Sequence, residues 1–396
     1  MSDSVILALN CGSSSIKFAV FDASTQPLPR APLWGGKVQG IGGAAPTFDE
    51  TGRAPQPIGL DAEHPNTAAL ALIRERVLQW LQGRRLAGVV HRVVHGGQHY
   101  FAATRVTQQV IDELRSYIPL APLHQPFPLK AMSLLLAQHP DVPQVACFDT
   151  AFHRTIEPVE QMFALPRTAW ERGVRRYGFH GLSYDYMSQA LPERHGDMAR
   201  GRTIVCHLGS GASLCAMRDL RSVATTMGFS ALDGLMMGTR CGTLDPGAVI
   251  YLMQIEKLSL DEVAHMLYHD SGLLGVSGVS ADPRELLPVE SENERVRQAL
   301  QLYVRRIVRE IGALTAVLGG LELLVFTAGI GEHNDVVRAR VCQQLGWLGV
   351  QLDAEANARH AAVISGADSR VRVGVEQTNE EWVAASQAAR LLQIAP

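Results

Sequence analysis

The sequence of 396 residues predicts an α/β protein built from two related halves. Apolar runs typical of strands alternate with segments whose apolar residues recur at helical spacing, which favours an α/β over an all-β fold. The stretch 202–219 aligns without a gap on 5–22, and both stretches pass from an apolar run through a polar Gly/Ser turn into a second apolar run. This self-match, about half a chain apart, indicates the duplication of one α/β unit.

Composition excludes several classes of protein. Charged residues make up 19% of the chain and the net charge is −3, so the excess of basic residues typical of nucleic-acid binders is missing. No apolar run reaches about 18 residues, and the N-terminal MSDSV carries no basic region, so we expect neither a membrane span nor a signal peptide. The sequence therefore predicts a cytoplasmic protein without a nucleic-acid or membrane partner.

Cysteine and histidine spacing predicts neither disulfides nor a zinc site. The six cysteines form no CxxC pair and most lie in apolar runs, so free buried thiols are the predicted state. Two histidine pairs, His91 with His95 and His265 with His269, lack the glutamate of the HExxH motif.

The first predicted hairpin has an unusually polar turn. Apolar stretches on both sides of LNCGSSSIKF predict a strand, a turn and a second strand over 5–22. Gly12 permits a close approach of the backbone, and the neighbouring hydroxyl groups and Lys17 are suited to binding phosphate oxygens. An ordinary serine-rich hairpin is the alternative, and this stretch alone does not decide between the two.

The remaining elements continue the alternation of helices and strands. Asp149 and His153 follow one predicted strand at its polar end, where sites collect in open α/β sheets. The predicted elements are an Asn/Thr-capped helix at 66–82, strands in LAGVVHRVVHGG and VPQVACFDT, a helix at about 293–318, a strand in LELLVFT, a helix starting near Asn334 after AGIGE, surface loops or an irregular hairpin at 27–46 and 51–58, and a domain boundary near 150–156.

Nine sequence motifs spread over nearly the whole chain resemble those of the acetate kinase family, both in their residues and in their order along the chain. They are ALNCGSSSIKF, GVVHRVVHGG, PLHQPFPL, FDTAFH, RRYGFHGLSY, CHLGSGASL, GLMMGTRCGTLDPG, FTAGIGE and TNEE. The resemblance implies duplicated ribonuclease H-like domains, of the actin, sugar kinase and Hsp70 type, flanking a central cleft. It implies an N-terminal domain at 1–153, completed by a C-terminal helix at 383–396, and a nucleotide-binding domain at 154–382.

The reaction that the resemblance implies is the reversible, direct in-line transfer of the γ-phosphoryl group of ATP to acetate, giving acetyl phosphate and ADP. The implied cofactor is Mg²⁺ or Mn²⁺, and the implied assembly is a homodimer. A short carboxylic acid ionises near the pKa of Glu, about 4.3, so the nucleophile needs no general base at neutral pH. The difficulty is the repulsion between the carboxylate and the anionic phosphoryl group, which fixed positive charges must offset.

The resemblance assigns roles to six residues around this reaction. Arg92 and Arg240 match the family arginines that bind the carboxylate and the transferring phosphoryl group, and His180 matches the histidine that hydrogen-bonds the phosphoryl oxygen. Asp149 is expected to orient an arginine or a metal-bound water, since no proton must be removed. The residues that match the metal site are Asn10 and Glu380.

The predicted acyl pocket departs from the family pattern at one position. The resemblance places Val94, Leu123, Phe179 and Ala231 in this pocket together with Arg92, and the family usually has Pro where this chain has Ala231. Losing about two CH₂ groups, each worth about 0.8 kcal/mol when buried, enlarges the pocket. Acetate remains the expected substrate because of Val94, and propionate is the expected second substrate.

The nucleotide site is matched less completely. Pro283 stands where a larger apolar or aromatic residue is common, and Ser210 and His333 stand where Asn is usual, so the nucleotide preference stays open. The residues that the resemblance assigns to nucleotide binding are Lys17, His207, Leu208, Gly209, Ser210, Gly211, Asp282, Pro283, Arg284, Gly329, Ile330, Gly331 and His333.

Two alternatives stay open from the sequence. One is a propionate kinase of the same family. The other is a non-catalytic, nucleotide-dependent protein of the same fold, such as a sensor or a filament protein. The second would need the phosphate-binding turns, but not two arginines and a histidine beside an acyl pocket.

Overall fold

A computed structural model describes residues 4–122 and 124–394. These residues divide into two compact units. Unit 1 comprises the residues up to Ala151, Gly181–Ser183 and the residues from Asn379 onward, and unit 2 comprises Phe152–His180 and Tyr184–Thr378.

The described residues of unit 1 form an eight-stranded mixed sheet in the order β5-β4-β3-β2-β1-β6-β8-β7. Those of unit 2 form a five-stranded sheet in the order β11-β10-β9-β12-β13. The strands are β1 (Ser4–Cys11), β2 (Ser15–Asp22), β3 (Trp34–Gln39), β4 (Thr47–Glu50), β5 (Gln56–Pro57), β6 (Arg85–Val93), β7 (Thr104–Arg105), β8 (Gln144–Phe148), β9 (Thr203–Leu208), β10 (Ala212–Arg218), β11 (Arg221–Thr225), β12 (Leu323–Thr327) and β13 (Arg372–Val375).

Helices connect the strands, and one of them, α6, contributes residues to both units. The α-helices are α1 (Pro65–Leu81), α2 (Gln108–Arg115), α3 (Pro126–Gln138), α4 (Pro158–Gln161), α5 (Arg167–Glu171), α6 (Gly181–His195), α7 (Pro246–Gln254), α8 (Leu260–His269), α9 (Gly272–Ser277), α10 (Pro283–Leu286), α11 (Glu294–Leu318), α12 (Ala328–His333), α13 (Asp335–Gln343), α14 (Ala354–Ala358) and α15 (Glu380–Leu391). Short 3₁₀ helices occupy Ile118–Leu120, Ala151–Thr155, Gly196–Arg200, Leu287–Val289 and Gly346–Leu348.

The two sheets share one five-stranded pattern, which confirms the predicted α/β fold and its internal duplication. In unit 1, β1 pairs antiparallel with β2 and parallel with β6, and β3 and β8 extend the sheet on the two sides. In unit 2, β9 pairs antiparallel with β10 and parallel with β12, and β11 and β13 extend it in the same directions. The two units thus repeat the same strand order and the same strand directions.

The repeated hairpins differ in the length of their turns. Cys11 pairs with Ile16 across the first turn, whereas Leu208 pairs with Ala212 across the second, so the second turn is one residue shorter. The gap-free alignment of 202–219 on 5–22 is therefore wrong for the second strand of each hairpin, which is shifted by one residue. The sequence hides this difference because both arms are apolar and small residues recur in each.

The core of unit 1 forms where the predicted hairpin packs under α1. The ring of Phe18 lies between those of Trp34, at a centroid distance of 4.9 Å, and Phe48, at 6.1 Å. The burial of each such side chain stabilises the fold by about 1.5–3 kcal/mol. The helix α1 confirms the prediction at 66–82, but its predicted Asn/Thr cap is wrong, since the chain enters through His64, whose side chain makes no cap, and Pro65.

The core of unit 2 forms around α11, which confirms the helix predicted at 293–318. The side chain of Asn293 accepts hydrogen bonds from the N–H groups of Arg295 and Val296 at its start, and Gly319 ends it in the left-handed conformation, with φ of 72°. One face of this amphipathic helix is buried, and α11 packs against β9 and β10. The predicted strand LELLVFT is β12, and the side chain of Asn334 caps α13 as expected.

Part of the predicted surface loops belongs to the sheet. The stretch at 27–46 contains β3, which pairs with β2 and with β4, so of the two alternatives the irregular hairpin is the correct one. All six cysteines are free, and five of them are buried, as predicted. Among residues 4–122 and 124–394, no helix combines the length and the apolar character needed to cross a membrane.

Candidate functional site

In unit 1, the side chain of Arg92 is bound by two carboxylates. Its Nε lies 3.0 and 3.1 Å from the two carboxylate oxygens of Asp149, and its Nη2 donates to Oδ2 of Asp149 at 2.7 Å. Its Nη1 lies 2.8 Å from Oε2 of Glu380. The structure thus brings together three of the residues predicted from the sequence.

The parallel pairing of β6 and β8 places Arg92 and Asp149 at one edge of the sheet. Arg92 is the penultimate residue of β6, and Asp149 directly follows β8. The N–H of Asp149 donates to the carbonyl of Val93 at 3.0 Å, which continues the pairing beyond the end of β8. Because the carboxyl ends of parallel strands share an edge, residues far apart in sequence meet there.

Glu380 is held by the start of the C-terminal helix α15, of which it is the first residue. The side chain of Asn379 accepts from the N–H of Trp382 and donates to the carbonyl of Arg30 at 2.9 Å. The indole N–H of Trp382 donates to the carbonyl of Leu28 at 3.0 Å. The N-terminal end of α15 is therefore fixed to the 28–30 segment, and Glu380 with it.

Arg92, Asp149 and Glu380 form a charged cluster, in which neighbouring charges affect the pKa values of Arg92 and Asp149. Burial raises the pKa of Asp149 to about 6, although the charge of Arg92 opposes the increase. Burial alone would lower the pKa of Arg92, but the charges of Asp149 and Glu380 outweigh this effect and raise it. At neutral pH Asp149 is therefore ionised, and the formal charges of Arg92, Asp149 and Glu380 sum to −1.

Asn10 borders the same cluster. Asn10, Arg92 and Glu380 line a cavity of about 10 Å³, together with apolar atoms of Leu182 and Ala384, and this is the room that about one water needs. The amide and carboxylate oxygens and the excess negative charge suit Mg²⁺, which takes few protein ligands and keeps several waters. No cluster of three or more His, Cys, Asp or Glu suited to a metal occurs in the described part of the chain.

Lys17 and the first turn lie beside Asn10 in the same hairpin. Lys17 is exposed and pairs with Asn10 in the register of β1 and β2. The N–H of Gly12 donates to the carbonyl of Ser15 at 2.8 Å and closes the turn. The turn leaves the side chains of Ser13 and Ser14 exposed.

In unit 2, the equivalent turn carries the predicted residues 209–211. His207 and Leu208 are the last two residues of β9, and both are buried. The N–H of Gly209 donates to the carbonyl of Gly211 at 3.1 Å, and Ser210 is exposed at the tip. The predicted nucleotide-binding residues of this hairpin therefore surround one tight turn.

His180 lies beside this turn at the start of α6. Its backbone is left-handed, with φ of 58°, and its ring stacks on that of His207 at a centroid distance of 4.1 Å. Its Nδ1 lies 2.8 Å from Oγ of Ser213, which lies 2.6 Å from the hydroxyl oxygen of Tyr184. The ring orientation is thus set by a hydrogen-bonded chain of Tyr184, Ser213 and His180.

Arg240 points to the same turn. A Cβ atom added to Gly211 would lie 3.0 Å from Nη2 of Arg240 and 3.4 Å from Nε2 of His180, so both side chains converge on this glycine. Nη1 of Arg240 donates to the carbonyl of Ala231 at 2.7 Å. Within 4–122 and 124–394, no carboxylate forms an ion pair with Arg240. Burial lowers its pKa, but an arginine in a protein keeps its charge.

The predicted acyl-pocket residues lie in different surroundings. Val94 is half-buried directly after β6 in unit 1, whereas Phe179 and Ala231 are buried in unit 2. The carbonyl of Phe179 accepts from Nε2 of His153 at 2.9 Å, which fixes the backbone before His180. Leu123 lies outside the described residues.

The loop predicted to bind the nucleotide is ordered by its own charges. Asp282 caps α10, accepts from the N–H of Arg284 at 2.9 Å, and binds the Arg284 guanidinium through both carboxylate oxygens. The hydrogen bonds from Arg284 lower the pKa of Asp282. Pro283 is buried, whereas the side chain of Arg284 is 80% exposed.

The second predicted nucleotide-binding segment forms α12. Gly329 and His333 are exposed, Ile330 is half-buried and Gly331 is buried. The helix follows β12 directly, and Ala328 at the junction has φ of 65°.

The predicted residues are oriented by other residues that no pattern in the sequence singled out. Ser213 and Tyr184 position His180, and Arg338 contacts the end of α12. Tyr184 lies only four residues after His180, in the first turn of α6, and this short separation is visible in the sequence. Ser213 pairs with His207 across the hairpin, a relation that needs the register of the strands.

A family model and a relative from the known proteins both match nearly the full length of the chain. The model of the acetokinase family matches residues 5–386. The acetate kinase of Rhodopseudomonas palustris is 48% identical over 397 aligned residues, which cover 99% of both chains.

Two solved structures resemble the chain over nearly its full length. The acetate kinase of Porphyromonas gingivalis has a TM-score of 0.85 at 34% identity and covers 98% of this chain and 100% of its own. A propionate kinase from Francisella tularensis has a TM-score of 0.88 at 30% identity and covers 97% of this chain and 98% of its own. The similarity of the fold confirms the predicted two-domain actin-like class, and the chain belongs to the acetokinase family.

Proposed function

We propose that this chain catalyses the reversible transfer of the γ-phosphoryl group of ATP to acetate, giving acetyl phosphate and ADP. Family membership supports the reaction class. The observation that carries the proposal is the convergence of Arg240 and His180 on Gly211, in the second Gly/Ser turn. A guanidinium without a carboxylate partner beside a backbone turn is suited to an anion with several oxygens.

Arg240 and His180 are proposed to stabilise the transferring phosphoryl group. Its negative charge lies on the equatorial oxygens in the transition state, and preorganised donors lower the barrier without reorganising during the reaction. If Tyr184 donates to Ser213 and Ser213 donates to Nδ1 of His180, then Nε2 of His180 carries the proton. That N–H is a donor for a phosphoryl oxygen.

Arg92 is proposed to bind the acceptor carboxylate. Its contacts with Asp149 and Glu380 use three of the five N–H groups of the guanidinium, and two remain for a ligand. Asp149 is proposed as a positioning residue, because an ionised acid has no proton to give up. Asn10 and Glu380 would hold Mg²⁺, whose positive charge would offset the negative charge of the phosphates.

Propionate is proposed as a second acceptor, because Ala231 leaves more space than the proline usual in the family. One methylene group changes the selectivity of an apolar pocket by about 10- to 200-fold. The relative from Francisella tularensis is a propionate kinase, so the acetokinase fold also supports that activity.

A homodimer is proposed as the assembly, and a cytoplasmic location stays a prediction from the sequence. The apolar helix α7, PGAVIYLMQ, has no buried residue in the monomer, and 54% of Ile250 and 53% of Tyr251 are exposed. Nearby, 64% of Ile255 and 68% of Leu260 are exposed as well. Contiguous exposed apolar surface of this kind marks interfaces, and a second copy of the chain offers the same apolar face.

Replacing Arg92 or Arg240 by Ala should reduce kcat for acetyl phosphate formation by at least about 10²-fold, because each removal deletes a positive group used in the transition state. ATP binding, measured by calorimetry, should persist in both variants. The assay is the formation of acetyl hydroxamate from acetate and ATP. Arg85→Ala, an exposed arginine on β6, is the matched control and should leave kcat unchanged. Near-normal turnover of both site variants would contradict the proposed roles of the two arginines, whereas a wild type without turnover would favour a non-catalytic protein.

Ala231→Pro should narrow the acceptor range of the enzyme. The wild type should use propionate measurably, and the variant should lose more kcat/KM for propionate than for acetate, by about 10-fold or more. The carbonyl of residue 231, which Arg240 binds, is retained in the variant. KM for ATP should not change, which serves as the internal control. A wild type inactive on propionate would refute the argument from pocket size.

The rate should fall as the pH falls through about 6. Asp149 is ionised above this pKa and protonated below it, so acidification removes the charge that orients Arg92. The ratio of wild-type kcat to that of Asp149→Asn, measured from pH 5 to 8, isolates this effect because the substrates ionise alike in both reactions. The ratio should be highest above pH 6 and decrease towards pH 5. A ratio independent of pH would show that Asp149 does not titrate in this range.

Ile250→Asp should convert the proposed dimer into a monomer, since a charge would be buried in an apolar interface. Sedimentation velocity of the wild type and the variant measures this directly. Val159→Asp is the control, because Val159 is 75% exposed and lies on α4, away from α7 in the chain. A dimer that survives Ile250→Asp would place the interface elsewhere.

A further inference from the structure

The helix α12 is too short to be stable by itself. It has six residues, begins directly after β12, and contains Ala328 with φ of 65°, which is unfavourable for a residue with a Cβ atom. Isolated helices of this length do not form, because nucleation costs more than one turn of hydrogen bonds returns. Side chains from outside the helix must therefore determine the conformation of the segment that contains Gly329, Ile330 and Gly331.

At the N-terminal end, the segment is held by a carboxylate. Oε1 of Glu332 accepts hydrogen bonds from the N–H of Ala328 at 2.8 Å and from the N–H of Thr378 at 3.2 Å, and lies 3.3 Å from Oγ1 of Thr327. This carboxylate satisfies a backbone donor at the strained junction and connects it to the 378 segment.

At the C-terminal end, the segment is held by Arg338. Nη1 of Arg338 donates to the carbonyl of Gly331 at 2.9 Å and to that of Glu332 at 2.8 Å. Its Nε donates to Oδ1 of Asn357 at 2.8 Å, and its Nη2 donates to the carbonyl of Asn357 and to Nδ1 of His360, both at 2.9 Å. One side chain thus connects α12 to α14 and to His360 just beyond it through five contacts.

Arg338 is unusual because it is fully buried and its partners are neutral. Its exposed fraction is 0%, and in the described ranges 4–122 and 124–394 no carboxylate forms an ion pair with it. Burial lowers its pKa, although Asp335 nearby opposes the decrease. Burying a charge is costly, and an apolar side chain of similar size would avoid the cost. The carbonyls at the end of a helix, which carry partial negative charge, explain why a cation is retained here.

We propose that Arg338 is a positioning residue for nucleotide binding. It fixes the C-terminal end of α12 and thereby the segment 329–331, which contacts the nucleotide in the proposed function on which this inference rests. Arg338 itself is buried and does not touch the substrate. Its loss should therefore weaken the binding of ATP and ADP, while the groups that act on acetate and on the phosphoryl group stay in place.

The test compares Arg338→Lys and Arg338→Met with the wild type. KM for ATP and the calorimetric Kd for ADP should rise by about 10-fold or more in Arg338→Met, since the segment 329–331 must then be ordered when the nucleotide binds, which lowers the affinity. Arg338→Lys keeps the charge with fewer donors, so its values should lie between those of the wild type and the Met variant. KM for acetate and kcat at saturating ATP should stay close to those of the wild type.

The matched control is Arg340→Ala on the same helix. Arg340 forms an ion pair with Glu290 at 2.7 Å, and within 4–122 and 124–394 it makes no side-chain hydrogen bond or ion pair with α12, so its removal should leave KM for ATP unchanged. Asn357→Ala removes the acceptor of the Nε–H of Arg338 without removing the charge, and it should raise KM for ATP by a smaller factor. This variant serves as the test if Arg338→Met does not fold, as judged by its melting temperature and circular dichroism.

The outcomes separate this inference from the proposed function. A wild-type protein that does not phosphorylate acetate refutes the proposed function. An active wild type whose Arg338 and Asn357 variants fold but keep the wild-type KM for ATP and Kd for ADP overturns the role of Arg338. The role of Arg338 would also be overturned if its variants lost kcat with acetate while their affinity for the nucleotide stayed unchanged.

Discussion

The interaction on which the rest of unit 1 depends is the double ion pair of Arg92 with Asp149 and Glu380. A positive group that is to bind a small anion must be fixed, and it must keep free donors. Two carboxylates fix the guanidinium at 2.7 and 2.8 Å, and two of its N–H groups remain available. The contacts join the end of β6, the end of β8 and the start of α15, so the C-terminal helix contributes to the candidate site as well as to the fold.

The same two carboxylates add negative charge that a bound cation would have to offset. The formal charges of Arg92, Asp149 and Glu380 sum to −1, and this excess negative charge would repel an acid anion and a nucleotide. An added divalent cation beside Asn10 and Glu380 would reverse this sign, which is why the proposed Mg²⁺ and the proposed role of Arg92 depend on each other. Burial of the cluster strengthens both the repulsion of anions and the attraction of a cation, because charges interact more strongly where water is excluded.

Arginines serve three different purposes in this molecule. Arg92 is paired with carboxylates and oriented by them. Arg240 has only a backbone carbonyl among its hydrogen-bond acceptors in the described residues, which leaves its charge available beside Gly211. Arg338 is bound to neutral groups alone and supports α12 from inside the protein. The partners of each side chain distinguish these roles, whereas residue type does not.

The sequence by itself determined the α/β class, the duplication and the polar turns, because apolar spacing and Gly/Ser-rich stretches report local geometry. It also indicated Arg92, Asp149, Arg240 and His180, since their phrases resemble those of a known family. Tertiary structure alone decided the difference in turn length between the hairpins, the pairing of Arg92 with Glu380, the chain from Tyr184 to His180, and the burial of Arg338. Those features depend on strand register and on contacts between distant segments, and neither register nor long-range contact leaves a local pattern in a single sequence.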